Sequence, residues 1–260
     1  MSRPNLLKRQ FKRDGFLVLK NVFSKTQSEL ILSEAEKLFN LPEIKGGYMK
    51  YFETDKNNNN KILARMENFI EDPNLSDFRE LVSSEVAPIL EEVLEKRVVL
   101  FKDKINWKLP GGGAFKPHQD FEAWSDFPPK YYVTCAILVD NCTKENGCLE
   151  MVAGKHQEGV LKNDHGTIDK NVVDSMEWLP ILGNSRDLVL FDSFVPHRSG
   201  LNETNNSRRV CYFTYNLLED GNHYNAYFKK KREEFPPDFE RDSDTKINLN
   251  SKYNLANPIK

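Results

Sequence analysis

The chain has 260 residues, 39% hydrophobic and 29% charged, which suits one domain with a large core. Its 37 Lys and Arg against 39 Asp and Glu leave a net charge of −2, so the overall balance gives no reason to expect a nucleic acid or an acidic membrane as partner. No apolar run approaches the roughly 18 residues of a membrane span. None follows the N-terminus as a secretory signal would. The four cysteines (Cys135, Cys142, Cys148, Cys211) form no C-x-x-C pair. Reduced thiols and a cytoplasmic location are therefore expected, and the sequon-like Asn202-Glu-Thr204 carries no weight.

In chain order, Leu6 to Asp14 reads as a helix ended by Gly15, and Phe16 to Leu19 as a short apolar strand. Ser24-Lys-Thr-Gln27 has the capping-box pattern and opens a helix to about Phe39. Strands are expected over Tyr48–Glu53 and Lys61–Asn68, with a polar turn at Asn57 to Asn60 between them. A helical region should run from about Ser76 to Glu95 with a break near Pro88.

After Arg97 the texture changes. Val98–Lys108, Ala114–Asp120, Tyr131–Val139, Cys148–Val152, Leu188–Phe191 and Arg208–Tyr215 are short, rich in β-branched and aromatic residues, and bounded by Gly, Pro and Asn. They predict a mainly β protein with flanking helices, a double-stranded β-helix or jelly roll. The expected organisation is one domain over 1–260. In it the helical part, 1–97, packs outside the barrel, and a polar tail over 242–260 lacks periodicity. The basic run Lys229-Lys230-Lys231-Arg232 reads as a solvated helix face.

Chemistry concentrates in Pro117-His118-Gln119-Asp120. On a strand, residues two apart share a face, so His118 and Asp120 would project together and Gln119 away. A further histidine from another strand would complete a metal triad. Of the five histidines, His156, His165 and His223 fall in polar loops, whereas His197 begins a strand after the apolar run ending at Phe191. Two histidines and one carboxylate leave three adjacent positions open, as non-haem Fe(II) oxygenases need for O2 and a bidentate 2-oxo acid. The same triad could hold catalytic zinc for a hydrolase or isomerase. It could also persist in a non-catalytic jelly-roll binding module. A dicarboxylate cosubstrate needs a cation at its far end, and Arg208 lies eleven residues after His197 at the start of a strand. Arg209 would then face outward.

Taken together, His118-Gln-Asp120, Asn146-Gly-Cys-Leu149 with Gly154-Lys-His156, and His197-Arg-Ser-Gly with Arg208 resemble the phytanoyl-CoA dioxygenase family, from Phe11-Lys-Arg-Asp-Gly15 to about Tyr215. The resemblance implies a jelly roll using Fe(II), 2-oxoglutarate and O2. It implies iron ligands at His118, Asp120 and His197, a 2-oxoglutarate anchor at Arg208 and an assisting hydroxyl at Ser199. Halogenases of this fold lack the carboxylate, so Asp120 implies hydroxylation, with no catalytic residue beyond the iron ligands.

The strand before the first histidine alternates Lys102, Lys104, Asn106 and Lys108 with Phe101, Asp103, Ile105 and Trp107. It is either a solvated strand face or a cationic lining suited to an anion. The stretch is similar to that of ectoine hydroxylases, which implies 2-oxoglutarate contacts at Asn106 and Lys102 and a substrate-facing Trp124. Phe101 to Gly111 and Lys231 to Asp238 look closer to dioxygenases of small organophosphonates. That subgroup implies hydroxylation next to phosphorus, and the excess of lysine suits a dianionic phosphonate, so Lys104 and Lys108 join Trp124 as expected substrate contacts. The alternatives are an ectoine- or amino-acid-type hydroxylase and an acyl-CoA hydroxylase. Oligomeric state is not readable.

Overall fold

In the computed structural model the described residues are 3–55, 59–241 and 251–255. The N-terminal part holds helices α1 (Arg3–Asp14) and α2 (Lys25–Asn40), strands β1 (Phe16–Leu19), β2 (Met49–Thr54) and β3 (Lys61–Glu67), and helices α3 (Ser76–Leu81) and α4 (Ala87–Leu94). Next come β4 (Val98–Lys108), β5 (Phe115–His118), the single turn α5 (Phe121–Trp124), β6 (Tyr132–Leu138), β7 (Leu149–Met151), β8 (Asn163–Asp164) and β9 (Thr167–Ile168). The remainder is α6 (Lys170–Asp174), β10 (Leu179–Pro180), β11 (Leu188–Asp192), β12 (His197–Ser199), β13 (Arg208–Leu217) and α7 (Tyr224–Glu234).

The strands form two antiparallel sheets of the jelly-roll type, with helices flanking. A seven-stranded sheet runs β1-β11-β6-β13-β4-β3-β2, and a six-stranded sheet runs β10-β7-β12-β5-β9-β8. The alternation of side chains explains why β6 and β11 are buried from end to end. Ile137, Leu188, Leu190, Cys211 and Phe213 face outward in one core with Ile31, Ala35 and Leu38 of α2 and Phe78 and Leu81 of α3. Ala136, Leu138, Val189, Phe191 and Val210 face inward in a second core with Leu149 and Met151 of the smaller sheet. Each face of the large sheet thus has its own apolar partner, and the barrel interior lies between the sheets.

Several sequence expectations change here. The N-terminal part is not only an outer helical layer: β1 closes one edge of the large sheet, and β3 and β2 extend the other. The helix break precedes Pro88. Val82–Val86 is a π turn in which Ala87 N–H donates to Val82 O, and Pro88 then sits in the first turn of α4, where no N–H is required. The capping box at Ser24 forms, with Gln27 N–H donating to Ser24 Oγ and Ser24 N–H to Gln27 Oε1. The basic run on α7 is not uniformly solvated, because Lys231 is buried. Within the tail, Ser251–Leu255 carries a short 3-10 turn over Lys252–Asn254 and packs near α5, while 242–250 and 256–260 lie outside the described residues. All four cysteines are buried and free. Among the described residues no helix is long and apolar enough to cross a membrane.

Gly15 joins this scaffold to the site. Its φ is +82°, and a Cβ there would lie 2.5 Å from His156 Nδ1 and 2.6 Å from Val195 Cγ2, two residues before His197. Asp192 N–H donates to Gly15 O at 2.9 Å, so the close approach is locked from the β11 side. Gly15→Ala should therefore lower stability by about 2–4 kcal/mol, from left-handed backbone strain plus overpacking. Urea unfolding checks this, and an unchanged midpoint would contradict it.

Candidate active site

Strands β5 and β12 lie side by side, and His118 pairs with His197 in register. Their rings are 4.1 Å apart between centroids. β5 ends at His118, so the strand expected to reach Asp120 stops two residues short. Asp120 is helical (φ −63°, ψ −29°), and it is this turn, not strand periodicity, that brings the carboxylate back beneath the rings. Asp120 Oδ1 lies 3.7 Å from His118 Nε2 and 3.8 Å from His197 Nε2. Gln119 does face away. Its amide donates to Gly159 O and Phe194 O and accepts from Leu161 N–H, tying the flanking loops to the site.

The fit to a metal rests on the outer hydrogen bonds. His118 Nδ1 is 2.7 Å from Lys116 O, and His197 Nδ1 is 3.0 Å from Val195 O. A carbonyl can only accept, so each Nδ1 carries the proton and each Nε2 offers its lone pair inward. Burial, reinforced by the neighbouring His197, pushes His118 down to about 3, so its imidazole stays in the neutral ligating form. Burial alone would raise Asp120, but His197, Lys104 and His118 hold it below the usual carboxylate range. One donor atom from each of the three residues lies within 4.8 Å of the others, a potential iron-binding triad.

Arg208, at the start of β13, is fully buried and lines the same pocket. Its Nη2 donates to Gly147 O at 2.9 Å, its Nε has no hydrogen-bond partner, and no carboxylate pairs with it among the described residues. A buried guanidinium without a counter-charge is costly, which is what an anchor for an incoming carboxylate would look like. Arg209 points to the other face and pairs with Asp140, Nη2 to Oδ1 at 2.7 Å. Ser199 and Asn106 also line the pocket, and Asn106 Oδ1 is buried without a partner.

The lysine-bearing face of β4 points inward, so it is not a solvated face. Its lysines are spread along the strand, not gathered at one point. Lys108 pairs with Arg208 in register and donates to Ser199 Oγ at 2.7 Å and to Gly200 O. It therefore stands beside Arg208. Lys102 is six residues along β4, roughly 20 Å away at strand rise. It donates to Tyr227 Oη at 3.1 Å and lies 3.6 Å from Glu67 Oε2, at the opposite end from Arg208. Lys104, between them, stacks 4.6 Å from the centre of the Tyr212 ring, and burial together with Lys102 lowers it to about 8. Trp124 is buried and lines the pocket beside Lys102.

Sequence reasoning missed Arg65, Lys231, Tyr227 and Tyr253, which also line the pocket. Arg65 falls within the strand expected over Lys61–Asn68 with nothing to single it out, and Lys231 reads as one of four consecutive basic residues. The available signal was Tyr227, one helical turn before Lys231 and able to mark a buried face.

A family model for phytanoyl-CoA dioxygenase (PhyH) matches residues 11–210. The chain belongs to the phytanoyl-CoA dioxygenase family. It is a 2-oxoglutarate-dependent dioxygenase, and the expected Fe(II), 2-oxoglutarate and O2 are those of its family. It is 39% identical over 256 residues to a 2-aminoethylphosphonate dioxygenase from uncultured bacterium HF130_AEPn_1, covering 97% of each chain. It is 41% identical over 138 residues to a methylphosphonate hydroxylase of Gimesia maris, covering 53% of this chain and 52% of that one. The fold matches EctD from S. alaskensis, crystallised with 2-oxoglutarate and 5-hydroxyectoine, with a TM-score of 0.71 at 20% identity over 85% of this chain and 77% of that one.

Two substitutions separate the two halves of the site. Asp120→Ala should weaken Fe(II) binding and cut succinate release at least about 100-fold while circular dichroism stays native, since losing a ligand costs more than losing an outer partner. Arg208→Ala should raise the apparent KM for 2-oxoglutarate about 10- to 100-fold, the worth of one charged hydrogen-bonding partner. An unchanged KM would remove Arg208 as the anchor.

Proposed function

We propose that this enzyme hydroxylates the carbon next to phosphorus in a small alkyl- or aminoalkylphosphonate. The observation that carries the reading is the pocket lining beyond the iron triad. Arg65, Lys102, Lys104 and Lys231 line it, and Asp120, itself a candidate ligand, is the one acidic residue among them. A dianionic phosphonate suits such a lining better than a zwitterionic amino acid. Similarity along nearly the whole chain to a 2-aminoethylphosphonate dioxygenase supports the same class.

The balanced reaction consumes one O2 and one 2-oxoglutarate. One oxygen atom enters the C–H bond, and the other leaves in succinate, with release of CO2. Iron held by His118, Asp120 and His197 would supply O2 activation coupled to the oxidative decarboxylation of 2-oxoglutarate. The protein's own work is placement. Arg208, with Ser199 and Lys108 beside it, receives the distal carboxylate of 2-oxoglutarate. Asn106 stands on the same face of β4, between the two ends. Lys104 and Trp124 bound the substrate volume next to the triad, and the buried aromatic wall excludes water from it.

A zinc hydrolase would have no use for a buried Arg208 that no carboxylate among the described residues neutralises, and a binding module no use for the paired histidine tautomers. A single oxygenase domain is supported by the way β1, β2 and β3 join the same sheet as β4, β6, β11 and β13. The buried free thiols support a reducing, cytoplasmic setting.

Succinate release is the test. Methylphosphonate or 2-aminoethylphosphonate should stimulate it at least about 10-fold over the substrate-free rate, with phosphorus NMR reporting a 1-hydroxy product. Ectoine, free amino acids and acyl-CoA should not. Stimulation by one of those and by no phosphonate would replace the reading.

A further inference from the structure

The end of the pocket away from Arg208 is built around one buried carboxylate. Glu67, at the end of β3, is fully buried, and three cations converge on it from three elements. Arg65 Nε of β3 lies 3.0 Å from Glu67 Oε1, Lys102 Nζ of β4 lies 3.6 Å from Oε2, and Lys231 Nζ of α7 donates to the same Oε2. All four residues are buried, so solvent screens the cluster little. Three basic groups face one carboxylate, and burial pushes Lys231 well below the usual lysine range, so the cluster holds more basic groups than Glu67 can pair, and an arriving anion would favour their charged forms. Packing alone does not call for such an excess, since one cation would neutralise one carboxylate.

The three cations line the pocket while Glu67 does not. Glu67 therefore stands behind them, and their free sides face the cavity. Aromatic rings hold the ammonium groups in place. Lys102 donates to Tyr227 Oη, and Lys231 lies 5.1 Å from the centre of the Tyr51 ring. Such rings fix a cation without neutralising it.

We infer that Arg65, Lys102 and Lys231 form the phosphonate-binding subsite, with Glu67 as the positioning residue that gathers them. The inference rests on the phosphonate reading and deepens it. A tetrahedral dianion suits a cluster of three basic groups around one carboxylate, and three donors from separate elements can each address a different oxygen. With the head group there, the adjacent carbon points back past Lys104 toward the triad. Lys102 thus leaves the cosubstrate and joins the substrate.

The test is steady-state succinate release by the full chain, varying methylphosphonate and 2-oxoglutarate in turn. Arg65→Met, Lys102→Met and Lys231→Met should each raise KM for methylphosphonate at least tenfold and leave KM for 2-oxoglutarate within twofold. Arg65→Lys should restore part of the loss. Glu67→Gln should raise KM for the phosphonate with little change in kcat at saturation. Lys231→Met leaves a buried carboxylate short of a partner. If it does not fold, the Lys231→Met, Glu67→Gln double variant removes both charges and is read by the same KM split. The substrate-free rate of 2-oxoglutarate turnover reports an intact iron and cosubstrate site in every variant. If the wild type turns over methylphosphonate but these variants keep their KM for it, or lose affinity for 2-oxoglutarate instead, the subsite is wrong and the phosphonate reading stands. If no phosphonate supports turnover in the wild type, the reading itself fails.

Discussion

The antiparallel pairing of β5 with β12 is the constraint on which the rest depends. It sets His118 opposite His197, and each ring is then locked by a carbonyl two residues earlier in its own chain. Such short-range hydrogen bonds fix both tautomers without any distant residue. A slip of one residue in this pairing would turn one imidazole to the other face of the sheet. The site is guarded against that slip by what surrounds it. Gln119 clamps the loops on either side, and the backbone at Gly15 passes so close to Val195, just before β12 begins, that a Cβ there would not fit.

From that centre the long ladder of β4 with β13 acts as a ruler for charge. Arg208 and Lys108 are opposite one another at one end, Tyr212 and Lys104 in the middle, and Thr214 and Lys102 at the other. A cosubstrate with two carboxylates and a dianionic substrate would compete for the same cations if these were clustered. Spacing them along one pair of strands lets each anion have its own site, with the triad between. In this reading specificity is a matter of distance along a strand, set by a backbone that is rigid because both faces of the sheet are packed.

How much of this was legible in the sequence depends on the range of the interaction. The jelly roll was readable because its strands carry local signals: alternation, β-branched content and turn residues. Both histidines were readable because a metal ligand needs a rare residue type at a fixed place, and Arg208 was singled out by its distance from His197, which the structure turns into a shared pocket. Asp120 was picked for a reason that did not hold, since the carboxylate returns by a helical turn after β5 has ended. The lysines of β4 were seen as one alternating face, but their division between two ends of the pocket is set by Ser199 on one side and Glu67 on the other. Glu67 is 164 residues from Lys231 in the chain, and nothing local to either residue announces that they meet. A buried cation in a run of four basic residues looks like its solvated neighbours until the helix is docked.

The positions of the two anions relative to the iron decide how the enzyme tells cosubstrate from substrate. An anaerobic crystal structure with Fe(II), 2-oxoglutarate and methylphosphonate measures this directly. The predicted result has iron on His118, Asp120 and His197, the distal carboxylate of 2-oxoglutarate on Arg208, and the phosphonate oxygens on Arg65, Lys102 and Lys231. A phosphonate bound at Arg208, or a 2-oxoglutarate carboxylate seated on the Glu67 cluster, would contradict it.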